Sequence, residues 1–207
     1  MTVTRVLLAR HGQSEGNVAN LWTSQVHGYP LTERGREQAR TLGKALAERG
    51  VTGLYASPIL RAQQTAQELS AYLGLDVVTL EGVQELDVGV HEGKSDDEVA
   101  PIARHVFGRW LRAGDLTGGF DGGESGHQVV VRMTGALDSV ARDAAGGTAV
   151  VVSHGGAIAL WGVSVCPQIS PAFVVEHLLD NCDVVELERR DDGWHCLRWA
   201  GIDLLTP

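Results

Sequence analysis

The chain has 207 residues, 43% of them hydrophobic, and a formal net charge of -9 at pH 7. This length suits one domain with a sizeable buried core, and the acidic balance argues against nucleic acid and anionic membranes as partners. No apolar run reaches the ~18 residues of a membrane span, and no signal peptide is visible. We therefore expect a cytoplasmic protein.

Hydrophobic runs alternate with helical patterns along the chain. In chain order we predict a strand over 3–9, a helix over 33–48, a strand over 52–56, a helix from 57 to 74, a strand over 76–80, a helix over 97–112, a helix from 129 to about 145, a strand over 148–153, a helix to about 164, a short helix over 171–179, and paired strands over 182–189 and 194–200.

Two of the predicted helices carry predictions about individual side chains. Ser57 is expected to cap the helix that follows it, because proline is favoured in a first turn. The inward face of the helix over 97–112 is expected to comprise four apolar side chains: Ile102, Val106, Trp110 and Leu111.

The alternation of strands and helices predicts the α/β class. We expect a single three-layer α/β/α domain over 1–207, with a mostly parallel central sheet flanked by helices. Residues 114–126 contain six glycines and predict a flexible loop. We expect a lid region over about 96–127.

Two predicted strands run directly into a His-Gly pair. Arg10 and His11 follow the first strand, and His154 with Gly155 follows the strand over 148–153. Ligands of open α/β sheets bind at the carboxyl ends of strands. Arginine offers a fork of donors suited to phosphate, and free amides at a helix N-terminus favour anions. The pattern predicts an anion site, and the alternative is a pair of ordinary polar turns.

Further candidates lie on two other segments. Arg61 falls in a first helical turn, where a cation is disfavoured unless an anion binds nearby, although a solvated surface arginine is an equal alternative. Near a phosphate, a carboxyl group retains its proton and can protonate a leaving alkoxide. Spacing alone does not choose among Glu85, Asp87 and Glu92 for this function.

Several blocks of the chain, in order, resemble the histidine phosphatase (phosphoglycerate mutase-like) superfamily. The blocks are Arg10-His11-Gly12 with Ser14 and Asn17, Pro30-Leu31-Thr32 through Gly35 with Gln38-Ala39, Ser57-Pro58 with Arg61-Ala62 and Thr65-Ala66, Glu85 with Gly89 and Glu92-Gly93, Gly123-Glu124-Ser125, and Val152-Ser153-His154-Gly155-Gly156. One such block is weak evidence, whereas this ordered series is specific.

The resemblance implies a phosphatase-branch enzyme that hydrolyses a small phosphorylated metabolite. It implies a metal-independent, histidine acid phosphatase-like phosphomonoesterase that needs no cofactor. His11 would be the nucleophile that forms a phosphohistidine, and Glu85 the proton donor. Three side chains would hold the phosphate oxygens: Arg10, Arg61 and His154. Three further residues would support binding: Ser14, Asn17 and Gly155.

Other functions remain open at this stage. A phosphoglycerate mutase-type transferase would carry a longer insertion after the acid-donor block, where residues 94–126 are short and glycine-rich. A non-catalytic phospho-ligand-binding module would be expected to lack His11 or Glu85, and a metal-dependent hydrolase would show HExxH-like pairing. The expected partner is a small-molecule phosphate ester, and a homodimer is possible. Three residues are candidate substrate contacts or, equally, surface or minor core residues: Trp22, His27 and Tyr29.

Overall fold

The computed structural model describes residues 4–204, so residue 3 of the first predicted strand lies outside it. The strands are β1 (Thr4–Arg10), β2 (Val51–Ala56), β3 (Val77–Thr79), β4 (Thr148–Ser153), β5 (Val184–Arg190), β6 (Gly193–Trp199) and β7 (Ile202–Asp203). They form one sheet in the order β3-β2-β4-β1-β5-β6-β7. The first four strands in that order pair in parallel, and β5, β6 and β7 extend the sheet by antiparallel pairing.

Helices precede and follow the parallel strands, as the pattern predicts. Their bounds are α1 (Glu15–Val18), α2 (Glu33–Leu46), α3 (Leu60–Leu73), α4 (Asp96–Phe107), α5 (Gly126–Asp143), α6 (Gly155–Val165) and α7 (Pro171–Glu176). The four-residue α1 has no apolar stripe and was not predicted. Within residues 4–204, no helix combines the length and apolar character needed to cross a bilayer.

The two faces of the sheet bury separate apolar clusters. Leu7 and Val150 point to one face, where Leu69 of α3 joins them, whereas Leu8 and Val151 point to the other face with α5 and α6. Alternation along a strand places successive side chains on opposite faces, and a sheet buried on both faces is apolar throughout. The expected three-layer α/β arrangement is therefore confirmed, with a mixed sheet at its centre.

The predicted capping role of Ser57 is wrong. Helix α3 begins at Leu60, and its N-cap residue, Ile59, makes no side-chain capping bond. The Ser57 hydroxyl accepts the amide of Ile59 at 3.3 Å but also lies 2.9 Å from His154 Nε2. A residue before proline is biased towards extended backbone, which delays the helix and leaves this hydroxyl free to contact a buried histidine.

The predicted inward face of the 97–112 helix needs one correction. Ile102 is 38% exposed, whereas Val106 and Trp110 are buried. The buried stripe runs through Val99, Ala103, Val106 and Trp110, at spacings of four, three and four, and Ile102 lies off that stripe. The α-helical part ends at Phe107, and a π-helical turn over Gly108–Arg112 continues it.

Candidate active site

The two histidines that end neighbouring strands lie side by side. Strands β1 and β4 pair in parallel with Arg10 opposite Ser153, so the next residues along each strand, His11 and His154, emerge together. Their ring centroids are 5.1 Å apart, and both side chains are buried. The sheet edge therefore carries the pair that the sequence predicts.

The hydrogen bonds of His11 define its tautomer. Its Nδ1 lies 2.7 Å from the carbonyl of Gly12, which can only accept, and its Nε2 lies 2.9 Å from Arg61 Nε, which can only donate. The proton therefore resides on Nδ1 and a lone pair on Nε2. Burial and the Arg61 guanidinium lower the pKa of His11 well below its ordinary value, with a smaller contribution from Arg10. A neutral Nε2 at neutral pH is a competent nucleophile.

Two arginines supply positive charge beside this nitrogen. Arg61, the second residue of α3, is 3% exposed, and its Nη atoms donate to the side chain and carbonyl of Thr23 at 3.2 and 2.9 Å. Within residues 4–204, neither Arg10 nor Arg61 lies within 4 Å of a carboxylate oxygen. Glu85 and Glu92 act on Arg61 only from beyond that distance. A buried cation that is not paired with a carboxylate is costly, so the arrangement favours an anionic ligand.

Two polar atoms at the site are buried without a hydrogen-bond partner in the described chain. They are Arg10 Nε and His154 Nδ1. Arg10 Nε lies 3.3 Å from the point that a Cβ atom on Gly155 would occupy. Buried polar groups in folded proteins are nearly always paired, so these two nitrogens are suited to bind the oxygens of a ligand.

Glu85 is fixed at the N-terminus of α6. Its Oε1 accepts the amide of Ala157 at 2.8 Å, and its Oε2 accepts the amide of Gly156 at 3.3 Å. The sequence predicts these amides as an anion site, and the anion that two of them bind here is the Glu85 carboxylate. Among the three carboxyl groups that the sequence offers as proton donor, only Glu85 is hydrogen-bonded to the helix that begins after His154. Glu92 Oε2 instead accepts from the amide and the hydroxyl of Ser24.

The loop that carries Glu85 is braced by Arg132 of α5. Its five N–H groups donate to the carbonyls of Gly82, Gln84 and Glu85 and, in two parallel bonds, to the carboxylate of Glu124. A bidentate arginine–carboxylate pair fixes orientation as well as charge. Arg132 therefore sets the position of the Glu85 backbone and has no N–H left for a ligand.

The turn after His11 is held by polar side chains. Ser14 caps α1 and exchanges bonds with Asn17, whose Oδ1 accepts from the Ser14 amide at 3.1 Å. Asn181 donates to that same Oδ1 at 3.2 Å and to the carbonyl of His11 at 3.1 Å. In this structure Ser14 and Asn17 support the backbone of the site, and their contact with a substrate stays a prediction.

The three aromatic candidates lie in different environments. Trp22 is half-buried, its ring centroid lies 5.7 Å from that of Phe120, and its Nε1 donates to Asp96. Tyr29 packs against Gly16, and His27 is exposed. Trp22 thus joins the segment after β1 to the 96–127 region. That this region covers a substrate, and that these side chains contact one, stays a prediction.

Several residues of the site were missed at the sequence level. Besides Ser57 and Arg132, they include Thr23, which holds Arg61, and Thr65, whose Oγ1 accepts the amide of Gly12 at 3.0 Å. Ser57 and Thr65 were visible as parts of a matching block, although their contacts with His154 and Gly12 were not. Arg132 and Thr23 have no local signal, because their partners are far away in the sequence.

The two buried histidines predict a pH dependence of stability. The folded-state pKa of each lies below its ordinary value near 6.5, so the unfolded chain takes up protons first as the pH falls. Above pH 6.5 both states keep these histidines neutral, so their protonation does not lower the free energy of unfolding. Below that pH, each histidine lowers the free energy of unfolding by up to about 1.4 kcal/mol per pH unit.

Urea unfolding from pH 7.5 to 5 in phosphate-free buffer measures this slope. The double variant His11→Asn/His154→Asn provides the comparison, because asparagine does not titrate. A slope in the wild type no steeper than that of the double variant contradicts the neutral state of the pair.

The fold and the site together define an α/β protein with two buried histidines and two arginines at the carboxyl edge of its sheet. A model of the histidine phosphatase superfamily (branch 1) matches residues 6–201. A probable phosphoglycerate mutase of Enterobacter sp. (strain 638) is 31% identical over 198 residues, which cover 95% of this chain and 90% of the relative. The chain therefore belongs to the histidine phosphatase superfamily.

Solved structures agree with this assignment. A mycobacterial glucosyl-3-phosphoglycerate phosphatase, solved with VO3, shares 26% identity and a TM-score of 0.80, covering 95% of this chain and 98% of its own. A phosphoserine phosphatase of Entamoeba histolytica, 22% identical with a TM-score of 0.80 over 98% of this chain and 100% of its own, shares the fold. Phosphatases and mutases thus both occur among the similar proteins.

Proposed function

We propose that the protein is a phosphomonoesterase that works through a phosphohistidine on His11 and requires no metal ion. The observation that carries the proposal is the buried, neutral Nε2 of His11 beside two arginines that lack carboxylate partners within residues 4–204. Phosphoryl transfer depends mainly on positioning and on compensating the charge of the equatorial oxygens. The small-molecule partner is a phosphate ester.

In the first step, His11 Nε2 attacks phosphorus and the bond from phosphorus to the leaving oxygen breaks. Arg61 Nε, which donates to His11 in the free protein, turns to a phosphoryl oxygen, and Arg10 Nε and His154 Nδ1 bind the others. Glu85, which takes up a proton when the phosphate dianion lies beside it, gives that proton to the leaving oxygen. The products are the free alcohol, the Glu85 carboxylate and phosphohistidine.

In the second step, a water molecule attacks the phosphorus of phosphohistidine from the side that the alcohol vacated. Glu85 takes the proton of this water as the nitrogen–phosphorus bond breaks. Inorganic phosphate leaves, and His11 and Glu85 return to their starting states. Two in-line transfers replace one difficult hydrolysis, which is the gain of covalent catalysis.

The surroundings of Glu85 favour hydrolysis over mutase activity. A cleft of about 510 Å³ adjoins Glu85 and is lined by three further carboxylates, those of Asp87, Glu92 and Glu124. The one cation that lines it, Arg132, already uses all five N–H groups. The carboxylate of a phosphoglycerate would face like charges there. We infer that the leaving alcohol is neutral or cationic.

The test is an assay of phosphate release with EDTA present. The panel comprises p-nitrophenyl phosphate, neutral sugar phosphates, phosphoethanolamine and the 2- and 3-phosphoglycerates. We expect metal-independent hydrolysis, with kcat/KM for the neutral and cationic alcohols at least about 10-fold above that for the phosphoglycerates, since one unfavourable charge contact costs about 1.4 kcal/mol or more.

Two results contradict the proposal. Interconversion of 2- and 3-phosphoglycerate that outpaces phosphate release identifies a mutase. Loss of hydrolysis on chelation, restored by a divalent cation, identifies a metal-dependent hydrolase.

A further inference from the structure

The hydroxyl of Ser57 is fully buried between a backbone amide and a histidine. Its Oγ accepts the amide of Ile59 at 3.3 Å and lies 2.9 Å from His154 Nε2. The opposite nitrogen of His154, Nδ1, is buried and has no partner among residues 4–204. Because Ser57 Oγ and His154 Nε2 can each donate or accept, the direction of their bond decides which nitrogen of His154 carries a proton.

Counting donors and acceptors decides the direction. If His154 Nε2 donated, the Ser57 proton would have no acceptor within the described chain, at a cost of about 1–3 kcal/mol for a buried polar group. If Ser57 donates to Nε2, its oxygen still accepts from Ile59. The Ser57 hydroxyl, the Ile59 amide and His154 Nε2 then all have a hydrogen-bond partner, and only His154 Nδ1 has none among the described residues. The second arrangement leaves Nδ1 as an N–H donor without a partner.

We propose that Ser57 is a positioning residue, whose hydroxyl donates to His154 Nε2 and so holds His154 as the tautomer that carries its proton on Nδ1. That N–H then donates to an oxygen of the phosphoryl group. The first statement concerns the free protein, and the second rests on the proposed phosphatase function.

The tautomer matters because His154 carries only one proton. The charged groups facing it are Arg61, Arg10 and Arg132, with His11 beside it. Burial, Arg61 and the other neighbours lower the pKa of His154 well below its ordinary value. The Glu85 carboxylate, at the N-terminus of the helix that follows His154, is bound by amides of α6. A neutral imidazole with its proton on Nε2 would turn a lone pair towards the phosphoryl oxygens and repel them.

The first measurement is nitrogen NMR of the full-length protein labelled at histidine nitrogens, without ligand, at pH 7.5. His154→Asn assigns the signals. We expect the His154 proton on Nδ1 in the wild type and a shift of the population towards Nε2 in Ser57→Ala. A wild-type proton on Nε2 overturns the proposal.

The second measurement compares kcat/KM and the binding of inorganic phosphate in three variants. Ser57→Ala is expected to lose about 100-fold in kcat/KM, the typical cost of removing one donor from a transition-state site, and to bind phosphate more weakly. Ser57→Thr keeps the hydroxyl and should restore most of both. Ser139→Ala, which removes a serine hydroxyl bound to a carbonyl within α5, should match the wild type.

Unchanged kcat/KM and phosphate affinity in folded Ser57→Ala contradict the positioning role. A wild-type Nδ1 proton in a protein that hydrolyses no phosphomonoester supports the hydrogen-bond assignment and contradicts the proposed function, so the two failures are distinguishable.

Discussion

Replacing His11 by alanine is expected to lower kcat/KM for phosphomonoester hydrolysis by at least about 10⁴-fold, the scale seen when a covalent nucleophile is removed. The reason is that the neighbouring histidine cannot replace it, because Nε2 of His154 is bonded to Ser57. Steady-state kinetics with p-nitrophenyl phosphate measure the effect. The variant removes a buried side chain, so a thermal melt must accompany the assay.

The matched control is His195→Gln. His195 lies on β6 and bonds to Asp192 and Gln168, away from the β1 and β4 strand ends. Its replacement should leave kcat/KM near the wild-type value. Hydrolysis by folded His11→Ala at a rate close to that of the wild type would contradict the assigned nucleophile.

Replacing Glu85 by glutamine is expected to have an effect that depends on the leaving group. For an alkyl phosphate, loss of the proton donor should lower kcat by about 10²- to 10⁴-fold. For p-nitrophenyl phosphate the loss should be far smaller, because nitrophenolate leaves without a proton. Glutamine preserves an oxygen that can accept the amide of Ala157, so the helix terminus keeps its partner.

Asp87→Asn is the informative comparison for Glu85→Gln. Asp87 is exposed and accepts the amide of Gly89. Its replacement should not change the ratio of kcat for the alkyl phosphate to kcat for p-nitrophenyl phosphate. Equal losses on both esters in Glu85→Gln would mean that the carboxylate acts by holding α6, and not as an acid.

Local sequence patterns were sufficient to predict the fold and the position of the residues that follow β1 and β4. Apolar runs of β1 and β4 are buried on both faces, so their sequences are strong signals, and parallel pairing places the residues that follow them together. Arg61 was expected in a first helical turn, which the structure confirms. The family resemblance rested on these same residues, and the match over residues 6–201 confirms it.

Long-range hydrogen bonds could not be predicted from the sequence. Ser57 looked like a helix cap, because a serine before proline is a local signal, whereas its contact with His154 joins residues 97 positions apart. Arg132 lies 47 positions from Glu85, whose carbonyl it binds. No rule based on the spacing of residues along the chain predicts contacts between residues so far apart. For the same reason, the occupation of the α6 amides by Glu85 became visible only in the structure.

Several expectations stay predictions, among them a substrate-capping role for residues 96–127, substrate contacts from Trp22, His27 and Tyr29, and a homodimer. Trp22 links the first two, since its indole lies 6.3 Å from the Phe107 ring and bonds to Asp96. A lid built on this aromatic cluster would move the segment after β1 together with α4.

Trapping the covalent intermediate tests the central claim most directly. The protein is mixed with a radiolabelled phosphomonoester and quenched in base within milliseconds, because phosphohistidine survives base and is lost in acid. Mass spectrometry of the digested chain then locates the label, and phosphorus NMR identifies the nitrogen. We expect one acid-labile phosphate on Nε2 of His11, absent from His11→Ala. A label on another residue, or active protein that never carries label, would contradict it.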